Sequence, residues 1–510
     1  MSDVPAIRSG PRARSHAEVQ QRAAIIANVL QAMGVRPGDR IVTVMRNDIA
    51  FVEAHLGGQL AGALPVPCNW HWSGDDLRHL LVDSAAKVVF VHTDLLGPVE
   101  AVLPPDARII EVEVPPEVAE AYALGAARTA ASGRHPMLET LIAQTEPIAE
   151  PAERQLIGMV YTSGTTGTPK GILRDATTPE KTMQGAMTIL KHFGLEPGMR
   201  TLIPAPLYHT APYAHATVAL ATGCDLTVMP RFDPEELLRT VETGRIDHIQ
   251  MVPTMFVRLL KLPEEVRNRY DVSSLKAVVH AAAPCPPDVK KAMIDWWGPI
   301  ILEYYGGSET GIVTACDSEQ YLAHLGTVGK AIEGADVRIL DADDRPLPPG
   351  EVGEVYLKPP PFWPDFTYMG ADDKRRAMER DGYVSVGDMG YLDEDGYLYL
   401  TDRRNHMVIS GGVNIYPAEI ENCLIGMPGV TDVAVFGIPD EEYGEALACH
   451  LVADDGITED TVKAHVRESL AGYKVPRVVV FERELPREDS GKLFKRLLRD
   501  PYWQNTGRTI

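Results

Sequence analysis

Long apolar runs are missing from this 510-residue chain. None approaches the roughly 20 residues that a membrane-spanning helix needs, so a soluble protein is expected. Paired cysteines are missing too. The six, Cys68, Cys224, Cys285, Cys316, Cys423 and Cys449, are far apart and form no C-x-x-C. That points to a reduced, cytoplasmic compartment and excludes structural zinc. Positive charge is scarce: 49 Lys and Arg stand against 71 Asp and Glu, a net charge of −22. Nucleic acid and anionic membranes are therefore excluded as main partners, and an anionic ligand has to be caught by local features. The opening "MSDVPAIRSGPRARS" has basic residues but no apolar segment behind them, so no secretory signal is expected. Internal repeats and low-complexity tracts are absent as well.

What is present is a regular alternation. "HAEVQQRAAIIANVLQAMG" carries apolar residues at helical spacing, "DRIVTVMRN" reads as a buried strand, and "DIAFVEAHLGGQLAGA" reads as a helix before "LPVPCNW". The pattern recurs in "DDLRHLLVDSAAKVVFVHT" and in "DPEELLRTVETGRIDHIQMVP", and predicts parallel sheets covered by helices. After residue 325 the texture changes. "GADVRILDADDRPLPPGEVGEVYLK" and "DGYVSVGDMGYLDEDGYLYLTDR" alternate with period two between Pro-Pro-Gly and Asp-Gly turns, which predicts antiparallel β-structure. From Arg404 onward a compact α+β set predicts a separate domain. The expected fold is α/β: residues 1–402 as a large domain of two helix-covered sheets plus a β-rich subdomain, then 403–510 as a small α+β domain.

One stretch concentrates chemistry. "YTSGTTGTPKG", Tyr161 to Gly171, packs three glycines, four threonines, a serine and a lysine behind the apolar "LIGMVY". Gly164 and Gly167 can adopt backbone angles that turn successive N–H groups inward as an anion nest. Thr162, Ser163, Thr165 and Thr166 add hydroxyls, and Lys170 adds a point charge. The nucleoside-triphosphate loop G-x-x-x-x-G-K-[ST] does not fit, because Pro169 and Gly171 stand at the wrong places.

This stretch resembles the phosphate loop of the adenylate-forming superfamily, which includes acyl-CoA synthetases, peptide-synthetase adenylation domains and firefly-type luciferases. The resemblance spans about residues 16 to 500 through further motifs in the expected order. In "EYYGGSETG" it implies that Tyr305 lies against adenine, that Glu303 accepts from the adenine amino group, and that Glu309 holds Mg²⁺ with Thr162. Ser308 keeps the hydroxyl that many relatives carry as Thr. "HAAAPCP", with Ala283, resembles the strand end beneath the nucleotide. Asp388 in "VGDMG" matches the aspartate that grips the ribose hydroxyls, and Arg403 in "TDR" its partner. Lys492 in "LPREDSGKLFKR" matches the lysine that bridges the substrate carboxylate and the α-phosphate. In "DRRNHMVISGGVNIYP" the resemblance implies a hinge near 403–405 that makes the small domain mobile. It also implies a Ser410, Gly411, Gly412 loop that lines the pantetheine tunnel. Asn405 and Val413 depart from the residues usual there, and the N-terminus is short.

The implied activity is ATP- and Mg²⁺-dependent ligation of a carboxylic acid to coenzyme A through an acyl-AMP intermediate. Loading of a carrier protein, a luciferase-like oxygenase and a non-catalytic adenylate-binding protein are the rivals. Tyr443, Tyr473 and Lys474 are candidates to receive the coenzyme A nucleotide. His209 in "PAPLYHTAPYAH" has two readings, a gate beside the reacting carboxylate or a satisfied buried histidine. Tyr208, Tyr213, Thr254, His280, Ala281, Gly306 and Gly307 are candidates for the acyl pocket. Relatives restricted to acetate carry tryptophan at the Gly306 place, so an acid larger than acetate is expected: a medium or long fatty acid, an aromatic acid or a steroid side-chain acid. The partners expected are the acid, ATP and coenzyme A, with a homodimer left open.

Overall fold

The computed structural model describes residues 5–152, 158–162, 169–411, 413–488 and 491–504. The alternation of the first three hundred residues folds into two sheets. The larger runs Lys330–Ala331, Thr314–Cys316, Ile301–Tyr305, Ala277–His280, His248–Met251, Arg200–Ile203, Asp225–Val228, Ala6–Ser9, Arg12–Ser15. From Ile301–Tyr305 to Ala6–Ser9 the pairings are parallel, and both margins are antiparallel. The second sheet, Leu64–Pro67, Arg40–Val44, Ala86–His92 and Arg108–Val112, is parallel throughout.

Local chemistry sets these elements. Ser15 and Glu18 form a capping box that starts the helix His16–Ala32, satisfying its first free N–H groups. That helix packs on Ile49–Leu60, whose glycine pair lets Gly57 meet the first helix and Gly58 meet the strand Arg40–Val44. A Cβ on Gly57 would stand 2.5 Å from Ile26 Cγ2, and one on Gly58 would stand 2.4 Å from Ile41 Cδ1. Ile26, Leu30, Ile41, Phe51, Phe90 and Ile110 fill the core between helices and sheet, each stabilising by about 1.5–3 kcal/mol.

The N-terminal segment, given no element by sequence pattern, forms the hairpin Ala6–Ser9 and Arg12–Ser15. Its arginines are structural. Arg14, with Arg22 of the following helix, lies 2.6 and 2.9 Å from the fully buried Glu53, and such a carboxylate is tolerated in the core only when paired.

The β-rich region forms an antiparallel sheet in which Gly353–Lys358 and Asp388–Leu392 are central and Leu398–Arg403 forms an edge. A smaller antiparallel sheet joins Val160–Thr162, Lys170–Arg174 and Phe366–Tyr368. Beyond Arg403 come a short turn, Arg404–His406, the hairpin Val408–Ser410 and Val413–Ile415, and a sheet of Val430–Asp440, Gly444–Ala453 and Val478–Phe481. Helices Pro417–Ile425 and Glu459–Ser469 enclose a core of its own, built on Ile420, Leu424, Val435, Leu447, Val462 and Val466.

Candidate active site

The antiparallel pair Asp388–Leu392 and Leu398–Arg403 puts Asp388 directly opposite Arg403. Arg403 Nε lies 3.2 Å from Asp388 Oδ1, while Tyr305 donates its hydroxyl to Asp388 Oδ2 at 2.7 Å. Two residues, Tyr305 and Arg403, thus meet at the Asp388 carboxylate. Burial, reinforced by Asp388, pushes the Tyr305 phenol well up, so it stays a proton donor.

Below them the loop after Tyr305 turns back on itself. Gly311 N–H donates to the Gly307 carbonyl at 2.9 Å, and Gly307 N–H donates to Thr310 Oγ1 at 2.9 Å. Glu309 at its tip accepts from the Tyr368 hydroxyl at 2.8 Å through Oε1. Arg174 donates to the Ser308 carbonyl and, at 3.1 Å, to that of Glu309, while its guanidinium covers the Trp363 ring. The Ser308 hydroxyl meets Thr210 Oγ1 at 2.7 Å, tying the loop to the helix that begins beside His209. Tyr368, Arg174 and Thr210 were not identified from sequence.

Lys170 pairs with Thr162 where the strands Val160–Thr162 and Lys170–Arg174 run side by side. Its ammonium sits over the Tyr368 ring, 5.1 Å from the centroid. Burial lowers its proton affinity, Lys374 adds to that, and Glu309 opposes it. Ser163, Gly164, Thr165, Thr166 and Gly167, like Gly412, lie outside the described residues. Ala283 is exposed just past the strand Ala277–His280, preceded by Ala282 at φ +74°. That is a left-handed conformation unusual for a residue with a Cβ.

The small domain reaches this region through Glu488 and Gly491. Lys492 is lowered in proton affinity by burial, with Glu488 and Glu309 opposing and Arg403 adding to it. In the same turn Glu488 accepts from Asn69 Nδ2 at 2.9 Å and stands 3.7 Å from His209 Nε2. Gly491 is seated on Thr254 so closely that a Cβ would be 2.0 Å from its Oγ1. His209 precedes the helix Thr210–Ala221 with its ring tilted on that of buried Tyr208 at 4.4 Å. Its side chain is about one-third exposed, so it is not the satisfied core histidine of the second reading: its polar neighbour comes from the other domain.

Five assignments are corrected. Glu303 does not face an open adenine pocket. Strand alternation turns it inward, where it is buried at 2.6 Å from the fully buried Lys290. His280, on the neighbouring strand, is fully buried between the Phe256 ring and Glu303, and is not a pocket wall. Tyr213 points between helices, edge-on to His55 at 4.9 Å, and lines an apolar cavity with Phe51, Leu207, Ala216 and Leu220. At Gly306 a Cβ would lie 1.7 Å from the Gly311 carbonyl oxygen. Glycine is there because the loop's own backbone occupies the place, not to deepen an acyl pocket. Gly307 belongs beside Glu309, whose Oε2 a Cβ would meet at 3.0 Å. Ala281 stays buried at the strand end.

Two family models match most of the chain. The model of AMP-binding enzymes matches residues 1–362, and that of the AMP-binding enzyme C-terminal domain matches 419–492. The chain belongs to the AMP-binding enzyme family. A feruloyl-CoA synthase of an Amycolatopsis species is 35% identical to this AMP-binding enzyme over 498 residues, 96% of this chain and 94% of that protein. The long-chain-fatty-acid–CoA ligase FadD13 of Mycobacterium tuberculosis is 30% identical over 489 residues, covering 96% and 93%. Among solved structures, ATP-bound MatB from Rhodopseudomonas palustris has a TM-score of 0.83 at 28% identity, covering 98% and 96%. The enzyme stands on the acyl-CoA synthetase branch of the adenylate-forming superfamily.

In this AMP-binding enzyme the hairpin Val408–Ser410 and Val413–Ile415 sits on its own domain, with Gly411 N–H donating to the Tyr443 carbonyl at 2.9 Å. A Cβ on Gly411 would stand 3.0 Å from the Tyr443 ring. Tyr443 is therefore adjacent to the loop assigned to coenzyme A, and exposed, as Tyr473 is. Lys474 is engaged at 2.5 Å with Glu419. Its charge is already neutralised within the domain, which weakens its candidacy as a phosphate contact.

Proposed function

We propose that the enzyme adenylates a carboxylic acid with ATP and passes the acyl group to coenzyme A. The observation that supports this reading is geometric: Tyr368 donates to Glu309 at 2.8 Å and carries the Lys170 ammonium over its ring, while the segment of the small domain that holds Lys492 seats Glu488 on Asn69 at 2.9 Å and beside His209. Two anions have to approach while charge gathers on the α-phosphorus, and a placed ammonium stabilises that transition state. In the proposed roles, Tyr305 packs on adenine, Asp388 accepts from the ribose hydroxyls beside Arg403, and Lys492 bridges the carboxylate and the α-phosphate. His209 borders the reacting carboxylate.

A magnesium ion accompanying ATP fits the donors present. Tyr368 engages Glu309 Oε1, while the missing Cβ of Gly307 leaves room beside Oε2, and carboxylate and hydroxyl oxygens suit a hard cation. Glu309 and Thr162 would hold it, and bound there it would neutralise phosphate charge.

For the second step the small domain rotates about residues 403–405, withdrawing Lys492 and bringing in Ser410, Gly411 and Gly412. The coenzyme A thiol then attacks the acyl carbonyl and AMP leaves with the electron pair. An acid larger than acetate remains the proposed substrate, supported by relatives named for feruloyl and long-chain fatty acyl groups and no longer by Gly306. A cytoplasmic site is proposed with it; no described helix is long and apolar enough to cross a membrane.

Lys492→Ala tests the division of labour. Acid-dependent pyrophosphate exchange with ferulate or dodecanoate should fall by about two or three powers of ten, while capture of a supplied acyl adenylate by coenzyme A persists. Equal loss of both steps refutes the reading. Competition between coenzyme A and a pantetheinylated carrier decides the acceptor.

A further inference from the structure

Glu488 is a carboxylate 419 residues from the amide that holds it, and it belongs to the same turn as Lys492. Gly491 N–H donates to the Glu488 carbonyl at 2.7 Å, and Glu488 N–H donates to the Lys492 carbonyl at 3.0 Å. Arg487 anchors the turn on its own domain through Asp432, at 2.6 and 2.7 Å. Glu488 and Lys492 are thus tied backbone to backbone, and whatever seats Glu488 also places Lys492.

Its socket is prepared. Asn69 is buried and its orientation is set locally, because its Oδ1 accepts from His71 N–H at 3.1 Å. That directs Nδ2 toward Glu488 Oε2, while Oε1 faces His209 Nε2 at 3.7 Å. The Glu488 side chain is 5% exposed, and a carboxylate so enclosed is costly without partners.

We infer that Glu488 is a positioning residue: it keys the small domain into Asn69 and the His209 loop, and so holds Lys492 in the orientation that makes the acyl adenylate. The inference rests on the two-step reading above. A carboxylate suits this task better than an apolar contact. It accepts a directional hydrogen bond from Asn69 when docked and is well hydrated when the domain swings away, so no apolar patch is left exposed for the second step.

The test compares full-length wild type, Glu488→Ala, Glu488→Gln and Lys492→Ala. Pyrophosphate exchange is driven by ferulate or dodecanoate, and coenzyme A capture is measured with the synthetic adenylate of the same acid. Glu488→Ala should lower exchange about ten- to hundredfold, the weight of one charge-assisted hydrogen bond, with capture lowered much less. Glu488→Gln should recover most of the exchange, since its carboxamide still accepts from Asn69. Equal losses in both steps, or unchanged exchange, overturn the inference.

A second measurement needs no substrate. Nitroxide labels on Val82→Cys and Phe481→Cys, both exposed and one on each domain, report the interdomain distance in the ligand-free protein. Glu488→Ala should broaden the distribution and Glu488→Gln should restore it; an unchanged distribution overturns the inference. Wild type without exchange on either acid would refute the two-step reading, and the distances would still decide whether Glu488 docks the domain.

Discussion

Replacing Lys290 by methionine leaves Glu303 as an unpaired anion in the core. Lys290 is fully buried, its Nζ 2.6 Å from Glu303 Oε2 and 3.7 Å from the centroid of the Tyr321 ring. Methionine keeps most of the volume and removes the charge beside a carboxylate that is only 4% exposed. Breaking one side of such a pair costs about 3–5 kcal/mol. With a urea slope of about 3 kcal/mol/M or somewhat more, the unfolding midpoint of the large domain should fall by about 1 M. Burial already pushes Glu303 up despite Lys290, and removing the ammonium raises it further. The folded variant then binds a proton more readily than its unfolded chain. Its penalty is complete above that raised folded pKa and fades as pH falls toward the ordinary carboxylate range. Urea unfolding at pH 8 and at pH 5.5, each relative to wild type, measures this. Lys290→Met with Glu303→Leu removes both charges and should recover most of the loss. No destabilisation at pH 8 would refute the reasoning. So would a Glu303→Gln protein that keeps its fold but no longer binds ATP in calorimetry, because the carboxylate would then serve the nucleotide.

Gly306→Trp should lower the melting temperature and activity on short and long acids alike, since its Cβ meets the Gly311 carbonyl; a selective gain on acetate in an acid panel would restore the pocket-floor reading. Gly57→Ala should cost about 1–3 kcal/mol by forcing a methyl group against Ile26, measured as a lower melting temperature with adenylation kinetics unchanged well below it. Pyrophosphate exchange should fall as pH rises through the Lys492 pKa, which burial holds below the ordinary lysine value of 10.5. Capture of a supplied adenylate should lack that limb, which a pH profile of each half-reaction distinguishes.

The layers of the fold were legible because their periodicity is local. The resemblance to the adenylate-forming superfamily singled out Tyr305, Asp388 and Arg403, and the strands bring these three side chains together. What escaped the sequence acts across distance. Tyr368 reaches Glu309 from 59 residues away, Arg174 reaches Ser308 from 134, and Glu488 reaches Asn69 from 419, with no shared pattern to announce the pairs. Glu303 and His280 were misplaced for a different reason. A short strand shows that neighbours alternate, but not which face meets ligand and which meets a helix carrying a lysine. Composition hid the N-terminal hairpin, whose second strand, "RARS", looks like a solvated arm until Glu53 is seen to need its arginines.

The rung formed by Asp388 and Arg403 abuts the turn Arg404–His406, and Arg404 N–H is fastened to the Gly387 carbonyl at 2.8 Å. On the proposed roles, the sugar of the nucleotide is gripped beside the axle rather than out along either arm. A swing that carries distant side chains far then disturbs these near contacts little. AMP should stay in place while the thiol arrives, and depart last.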